Sequence, residues 1–470
     1  MLKGLEISEV DLSKIPFENS VLRIDPEYFK KQYLEEDQLR KKYDTVYLGE
    51  DYFITDGQHG YHEVDESSDI RHLTARNFKN WFANDIGADR LAKWVDDNNQ
   101  RSSLKVNDIV LTTRGSVGYC ALVKDEVLPA NIDQDVARIT VTKTSRINPQ
   151  FVVTFLNSRF GQDWTIRNQT GMVQQGLALW RVRELPLPRL SQNFQDEIES
   201  LIESAHILIS TSKEKHTQAE ELLLKEIGLQ DFEPSKEAVN IKTFSESFAA
   251  SGRLDAEYYQ KKYEDYIKII FNYGNGSDLL STACIVKAKN FTPDYDIEYK
   301  YIELSNVGKT GDLNGCTFNI GKELPSRARR KVNEGDVIIS SIEGSLDSCA
   351  LITKEYDNAL CSTGFYVINS NEINSETLLV LFKSEVMQNI LKQNCSGTIL
   401  TAINKDEFFN IPIPIIDYTK QQEIAKLIET SFALKKESEH LLEVAKRAVE
   451  IAIEEDEVVA IEFIKKNNNI

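Results

Sequence analysis

Two stretches of the chain carry the clearest periodic pattern. Ile198, Ile202, Ala205, Ile209, Ser212, His216, Ala219 and Leu223 recur at alternating steps of four and three. Leu427, Leu434, Leu441 and Ala448 recur every seven residues, beside a second line of Ile424, Ser431, Ser438 and Ala445. Such spacing lays residues along one stripe of a helix, so it predicts two long helices with a seam each. A helix of about 30 residues forms a rod of roughly 45 Å. Each helix could pack on its own domain. One seam per half makes pairing between the two the simpler arrangement, and the Ser, Ala and His positions point to a close, imperfect zipper.

Between these stretches the pattern is that of strands. Residues 109–113 (IVLTT) and 337–341 (VIISS) are β-branched runs that then meet Gly115 and Gly344. They read as strands entering turns, with a positive φ expected at each glycine. Segments 138–142 (RITVT) and 301–304 (YIEL) alternate in strand fashion, while 150–160 and 375–393 have helical spacing. The segments LPLPRL (185–190) and IPIPII (411–416) read as extended connectors, because each proline lacks an amide donor and restricts its predecessor.

The same order of features occurs twice. RIDPEYFKKQY at 23–33 matches RLDAEYYQKKY at 253–263, and DIVLTTRGSVGYCALV at 108–123 matches DVIISSIEGSLDSCALI at 336–352. The proline connectors follow, and then a helix led by Gln195 or Gln421. The separations drift only from 230 to 226 residues. A unit of this length exceeds solenoid repeats, and it implies a tandem duplication of a whole domain plus a helix.

Composition narrows the class. The chain has 470 residues, 41% hydrophobic and 27% charged, which implies more than one folded core. No apolar run approaches the roughly 20 residues of a membrane span. The opening MLKGLEISEVDL does not read as a secretory signal, and six cysteines without a CxxC pair read as free thiols of a reducing, cytoplasmic setting. The net charge of −19 argues against a nucleic-acid binder only if charge is evenly spread, and it is not. Residues 195–227 hold eight acids and three bases, whereas Arg327, Arg329, Arg330 and Lys331 stand together without an acid.

Candidate nucleic-acid contacts follow from this segregation. In the second half they are Arg327, Arg329, Arg330, Lys331, Lys287, Lys289 and Asn290, with Ser345 beside the turn glycine. In the first half they are Arg71, Arg76, Asn77 and Lys79, near Trp81 and Phe82, with Arg114 and Ser116 at the turn and Gln174 and Gln175 after Gly171. Arginine pairs bidentately with guanine or phosphate, and glutamine with adenine. His59, His62 and Glu63 invite a metal reading that nothing else in the sequence completes. Asp294, Glu298 and Lys300 are too close together for the two strands of a nuclease hairpin. No phosphate-binding P-loop or adenine-methyltransferase motif is present.

In the order of its motifs the chain resembles the specificity subunit of a type I restriction-modification system. The matching segments are ITDGQHG (54–60), RHLTARNF (71–78), 108–118, LPLPRL and Gln195 in the first half. In the second they are YIELSNVG (301–308), 327–331, 335–344, IPIPII and Gln421. The second half lacks the DGQHG segment, and Arg189 stands where a further proline is common. The resemblance implies an α+β fold, a tandem duplication of a mixed α/β target recognition domain, each followed by a long helix. The two helices would pair as an antiparallel coiled coil through Ile198, Ile202, Ile209, Leu223, Ile424, Leu427, Leu434 and Leu441. It divides the chain into recognition domains at 1–194 and 231–420, spacer helices at 195–230 and 421–457, and a tail at 458–470.

The implied function is non-catalytic. The chain would bind double-stranded DNA with a bipartite target and dock two methyltransferase subunits, with motor-nuclease subunits completing a restriction complex. The resemblance implies no cofactor in this chain. S-adenosylmethionine would belong to the methyltransferase, and ATP and magnesium to the motor-nuclease. A rod of about 45 Å exceeds one DNA turn of about 34 Å, so it could space two readers along the major groove. Two other classes remain open from the residues alone: a duplicated protein-docking scaffold without DNA readout, and a stand-alone metal-dependent endonuclease.

Overall fold

The computed structural model describes residues 9–10, 25–60, 62–171, 175–397 and 401–468, so Arg23 and Ile24 of the first repeat block lie outside the described residues. The chain divides into two compact units. One comprises Met1–Leu208 with Glu437–Ile470, and the other comprises Ile209–Lys436. Each is α+β, and the topology of one is repeated in the other.

In the first unit an antiparallel sheet runs in the order Tyr52–Asp56, Val136–Val141, Ile109–Thr112, Cys120–Leu122. In the second unit the order is Ile285–Val286, Phe365–Asn369, Val337–Ser340, Cys349–Leu351. Both faces of each sheet are covered. Ile109 and Leu111 pack toward the helices, and Val110 toward a second sheet. Val337 and Ile339 are likewise separated from Ile338. Burial on both faces explains why these strands read as unbroken apolar runs instead of alternating ones.

The second sheet of each unit holds a parallel pair, Arg71–Leu73 with Ala130–Ile132 and Glu298–Ile302 with Leu360–Ser362. An antiparallel strand flanks each pair, Asp89–Arg90 in one unit and Thr317–Ile320 in the other. The second unit adds an edge strand, Ala328–Lys331.

The spacing at 150–160 and 375–393 predicted one helical stretch each, but the structure contains two helices in each place. Pro149–Asn157 is followed by Arg159–Arg167, and Ser375–Lys383 by Glu385–Gln393. Ser158 and Ser384 adopt extended backbone at the breaks, and Ser384 accepts a hydrogen bond from the Met387 amide as an N-cap. Gln162 donates to Leu156 O at 2.7 Å and Gly118 O at 2.9 Å. Its repeat counterpart Gln388 donates to Phe382 O at 2.6 Å and Leu346 O at 3.0 Å. These amides lock the corner to the sheet.

The proline connectors are not free loops. Pro186–Pro188 pairs with Thr45–Tyr47, and Pro412–Pro414 with Ser277–Leu279, as two-stranded ribbons. A two-stranded ribbon has one unpaired side, where a missing donor costs nothing.

Each connector leads into a long helix, Gln192–Glu226 or Tyr418–Glu454. The buried Gln195 amide accepts from the Asn148 amide at 2.9 Å and donates to Leu190 O at 3.0 Å. Gln421 accepts from the Asn374 amide at 2.7 Å and donates to Ile416 O at 2.9 Å. The glutamine that leads each helix in the sequence thus ties connector, helix and corner together.

Both long helices contribute to both units. In the first unit Ser438 Oγ donates to Ala205 O at 2.7 Å. In the second, Ser431 Oγ donates to Ser212 O at 2.8 Å and Ser212 Oγ to Ser431 O at 2.7 Å. Within each unit a segment of one long helix is thus tied to a segment of the other by hydroxyl-to-carbonyl bonds. A hydroxyl that reaches a carbonyl on the facing helix needs axes near the short end of the roughly 8–10 Å range. Ile198, Ile202, Leu223, Ile424 and Leu441 are buried, whereas Ile209, Leu427 and Leu434 are half-buried beside the line of small residues. No helix among the described residues is long and apolar enough to cross a membrane.

Two outcomes are expected. S431A removes one hydroxyl and should cost about 1 kcal/mol, whereas S431L forces the helices apart and should cost about 2–4 kcal/mol; the urea midpoint of the full chain ranks them. The second concerns Glu36, on helix Lys31–Arg40, which is 3% exposed. Burial, then the neighbouring Asp163, pushes its carboxyl up to about 8 from an ordinary 4.5. The native state therefore holds a proton that the unfolded chain has released. Its contribution is full below about 4.5 and is lost as pH rises to about 8. E36Q should flatten the dependence of melting temperature on pH over this window and melt higher than the parent at the alkaline end.

Candidate nucleic-acid interface

In the first unit three loops converge on one polar cleft. The strand Ile109–Thr112 ends in a turn where Gly115 takes φ +68°, the positive value its neighbours predicted. Gly344, its counterpart, sits instead in the 3-10 turn Glu343–Ser345 and takes no positive φ. The Thr113 amide donates to Asp135 O at 2.8 Å, and the Leu177 amide donates to Thr113 O at 2.8 Å. These bonds bring loops 113–118 and 133–135 together with Gly176 and Leu177.

The resulting cleft of about 270 Å3 is bordered by Asp56, Arg114, Gln134, Thr170 and Gln175. Arg114 is 49% exposed and 3.6 Å from Asp135. Asp56 is already held, 2.8 Å from His59 Nε2 and 3.3 Å from Arg101. Burial pushes the Asp133 carboxyl behind the cleft up to about 6. Arg114 and Gln175, both picked out in the sequence, therefore meet. Ser116 is exposed on the adjoining turn, and Gln174 lies outside the described residues. Gln134 was missed, because a lone glutamine between two aspartates gives no pattern.

Other first-half candidates are otherwise engaged. Asn77 is fully buried; its Oδ1 accepts from the Thr74 amide at 3.0 Å and its Nδ2 donates to Ile86 O at 3.1 Å. It is a cap of the short turn Ala75–Phe78 and presents nothing to a base edge. Arg71 donates to Asp85 at 2.8 Å and to Leu128 O at 2.9 Å, and Arg76 donates to Gly87 O. Lys79 is exposed. Trp81 and Phe82 pack partly buried against the core. His59 is paired with Asp56 as described, and the His62 ring lies 4.3 Å from that of His72. Among the described residues no group of three or more metal-ligating side chains comes together.

In the second unit the basic candidates gather on one edge. Phe291 N donates to Arg329 O at 2.8 Å, Arg330 donates to Ala288 O, and Lys331 Nζ lies 5.6 Å from the Phe291 ring centre. The loop bearing Lys289 and Asn290, both exposed, is thereby fastened beside strand Ala328–Lys331. Arg327 is 64% exposed and Lys331 is exposed. A register shift between Ala328 and Arg330 breaks the in-out alternation, so Arg329 and Arg330 are both half-buried.

Two second-unit candidates face inward. Lys287 Nζ lies 2.7 Å from Asp336, which is 1% exposed, and 3.1 Å from Asn333 Oδ1. It neutralises a buried carboxylate. In the first unit the matching Asp108 is met by Arg138 at 2.6 Å, and burial raises its carboxyl above the usual range although Arg138 opposes this. Ser345 is half-buried and bonded to Ser340 Oγ at 2.9 Å.

Residues 270–444 match the model of the type I restriction modification DNA specificity domain. The resemblance carried by the sequence motifs is borne out. A 151-residue stretch is 29% identical to the type I restriction enzyme HindI specificity subunit of Haemophilus influenzae, covering 30% of this chain and 32% of that protein. Another, of 116 residues, is 28% identical to the type I restriction enzyme EcoBI specificity subunit of Escherichia coli, covering 24% of each. The chain thus spans only about a third and a quarter of these curated relatives. A crystal structure of the S subunit of a type I restriction-modification system from M. genitalium aligns over 90% of this chain and 96% of that one, at 14% identity and a TM-score of 0.40. The HsdS subunit from Thermoanaerobacter tengcongensis aligns over 88% and 97%, at 13% identity and a TM-score of 0.27.

The roles of the two lysine types separate in stability. K287A leaves Asp336 buried without its cation and should lower the unfolding free energy by about 2 kcal/mol. K331A should change it by less than about 0.5 kcal/mol. Chemical unfolding of the full chain measures both.

Proposed function

We propose that this chain is the sequence-reading subunit of a type I restriction-modification complex. The family match over 270–444, together with the repeat of that module's topology in the first unit, carries this reading. A chain with two such modules reads two parts of a split target in double-stranded DNA. The exposed edge with Arg327, Lys289 and Lys331 supplies phosphate or guanine contacts in one unit, and the cleft with Arg114 and Gln175 faces DNA in the other.

The paired helices serve as an antiparallel coiled coil that docks two methyltransferase subunits. Their acids suit this role, because an acidic helix repels phosphate. The chain itself performs no chemistry. The methyltransferase brings S-adenosylmethionine and methylates adenine at N6, and a motor-nuclease subunit with ATP and magnesium completes restriction in the cytoplasm.

Long-read mapping of methylated host DNA, with and without this gene, tests the proposal. Loss of N6-methyladenine at one two-part motif is expected. The affinity of the complex for DNA should also fall steeply with salt, as counterion release requires. Unchanged methylation, together with a complex that prefers no sequence, overturns it.

A further inference from the structure

On the reading of the chain as a DNA binder, we propose that the first-unit cleft is a purine-reading site, with Arg114, Gln134 and Gln175 as its specificity-determining side chains. The cleft mixes donors with acceptors. Arg114 donates, Gln134 and Gln175 do both, and the carboxylates of Asp56 and Asp135 stand beside them. A phosphate offers only acceptors and would leave the acceptor oxygens of both glutamines and of Asp135 without a partner. The major-groove edge of a base pair offers donors and acceptors together. The Arg114–Asp135 pair is open to solvent and 3.6 Å long, a weak contact that a better partner displaces. Arginine then matches guanine O6 and N7, and each glutamine matches adenine N6 and N7.

The duplication supplies an internal comparison. In the second unit the Ser341 amide donates to Gly364 O at 2.9 Å and the Ile403 amide to Ser341 O at 2.8 Å, which repeats the bonds that Thr113 makes in the first. The bridge Arg114↔Gly176 is matched by Ile342↔Ala402. On this common backbone, Ile342, Thr363 and Thr401 stand where the first unit has Arg114, Gln134 and Gln175. The frame is kept while the side chains on it change from a guanidinium and two long amides to one apolar group and two short hydroxyls. A purely structural role would not demand that change, whereas reading two different half-sites would.

The test uses the full chain with its methyltransferase subunits, selected against randomised duplex DNA at fixed salt. The parent is compared with R114K, Q134A and Q175A, each checked for an unchanged melting temperature. R114K keeps the charge but not the planar fork. Each variant should lose discrimination by about 10- to 100-fold at one or two adjacent positions of one half-site, with the other half-site intact. R114K should also keep its affinity for bulk DNA. An unchanged consensus in all three variants overturns the inference, and so does a loss of affinity that is uniform across sequences with a shallower salt slope, since that marks phosphate contacts. Selection of no motif by the parent itself would instead sink the underlying proposal of DNA reading.

Discussion

The buried side-chain amide of a glutamine, used once in each unit, is the constraint around which the rest is arranged. Gln195 and Gln421 are each 3% exposed, and each joins the end of a proline connector to the amide that opens the preceding helical corner. An amide has both a donor and an acceptor, so one side chain satisfies two backbone groups that neither helix nor ribbon can pair. Losing it would strand both in a dry environment, where each unpaired group is costly. The bond fixes where each long helix starts with respect to the sheet beneath it. The sheet in turn fixes the turn after its central strand, and so the cleft or edge that the unit presents.

The pairing of the long helices obeys a second constraint, size. Small residues at Ala205, Ser212 and Ala219 recur every seven positions on one helix, and Ser431, Ser438 and Ala445 on the other. All are buried. Apolar burial is modest along such a line, and the close approach is secured by hydroxyls that donate across to main-chain carbonyls. Larger flanking residues such as Leu427 and Leu434 supply the apolar cover. A leucine seam would bury more surface but could not bring the backbones as close, and so would set a different distance between the axes.

Much of this was legible in the sequence because duplication makes weak signals count twice. Strands, connectors, long helices and their common order were visible as paired blocks. The breaks at Ser158 and Ser384 were not, since a one-residue extended corner leaves the helical spacing on either side intact. A fifth repeated block was also missed: Asn168-Gln-Thr-Gly171 and Asn394-Cys-Ser-Gly397 open corresponding loops, and too few identities mark them. The candidate site was legible as regions only. Lys287 and Asn77 carry the same residue types as the candidates that stay exposed, and only tertiary partners distant in sequence, Asp336 and Ile86, turn them inward. Gln134 became visible only when the chain brought 133–135 under the turn at 114.

Comparison of the two units also separates what the fold requires from what it leaves open. Asp108 and Asp336 are both buried and both neutralised, yet the cation comes from strand Val136–Val141 in one unit and from Lys287, just after strand Ile285–Val286, in the other. The charge balance is required and its source is not. The same holds at the surface. The backbone bonds beneath the turn persist, while the side chains above it and the extra strand Ala328–Lys331 differ between units. Substitutions confined to exposed positions on a fully bonded frame cost little stability, because no buried group loses a partner. Exposed surfaces can therefore diverge between the halves without penalty to either core, and the two halves keep one fold while presenting different side chains.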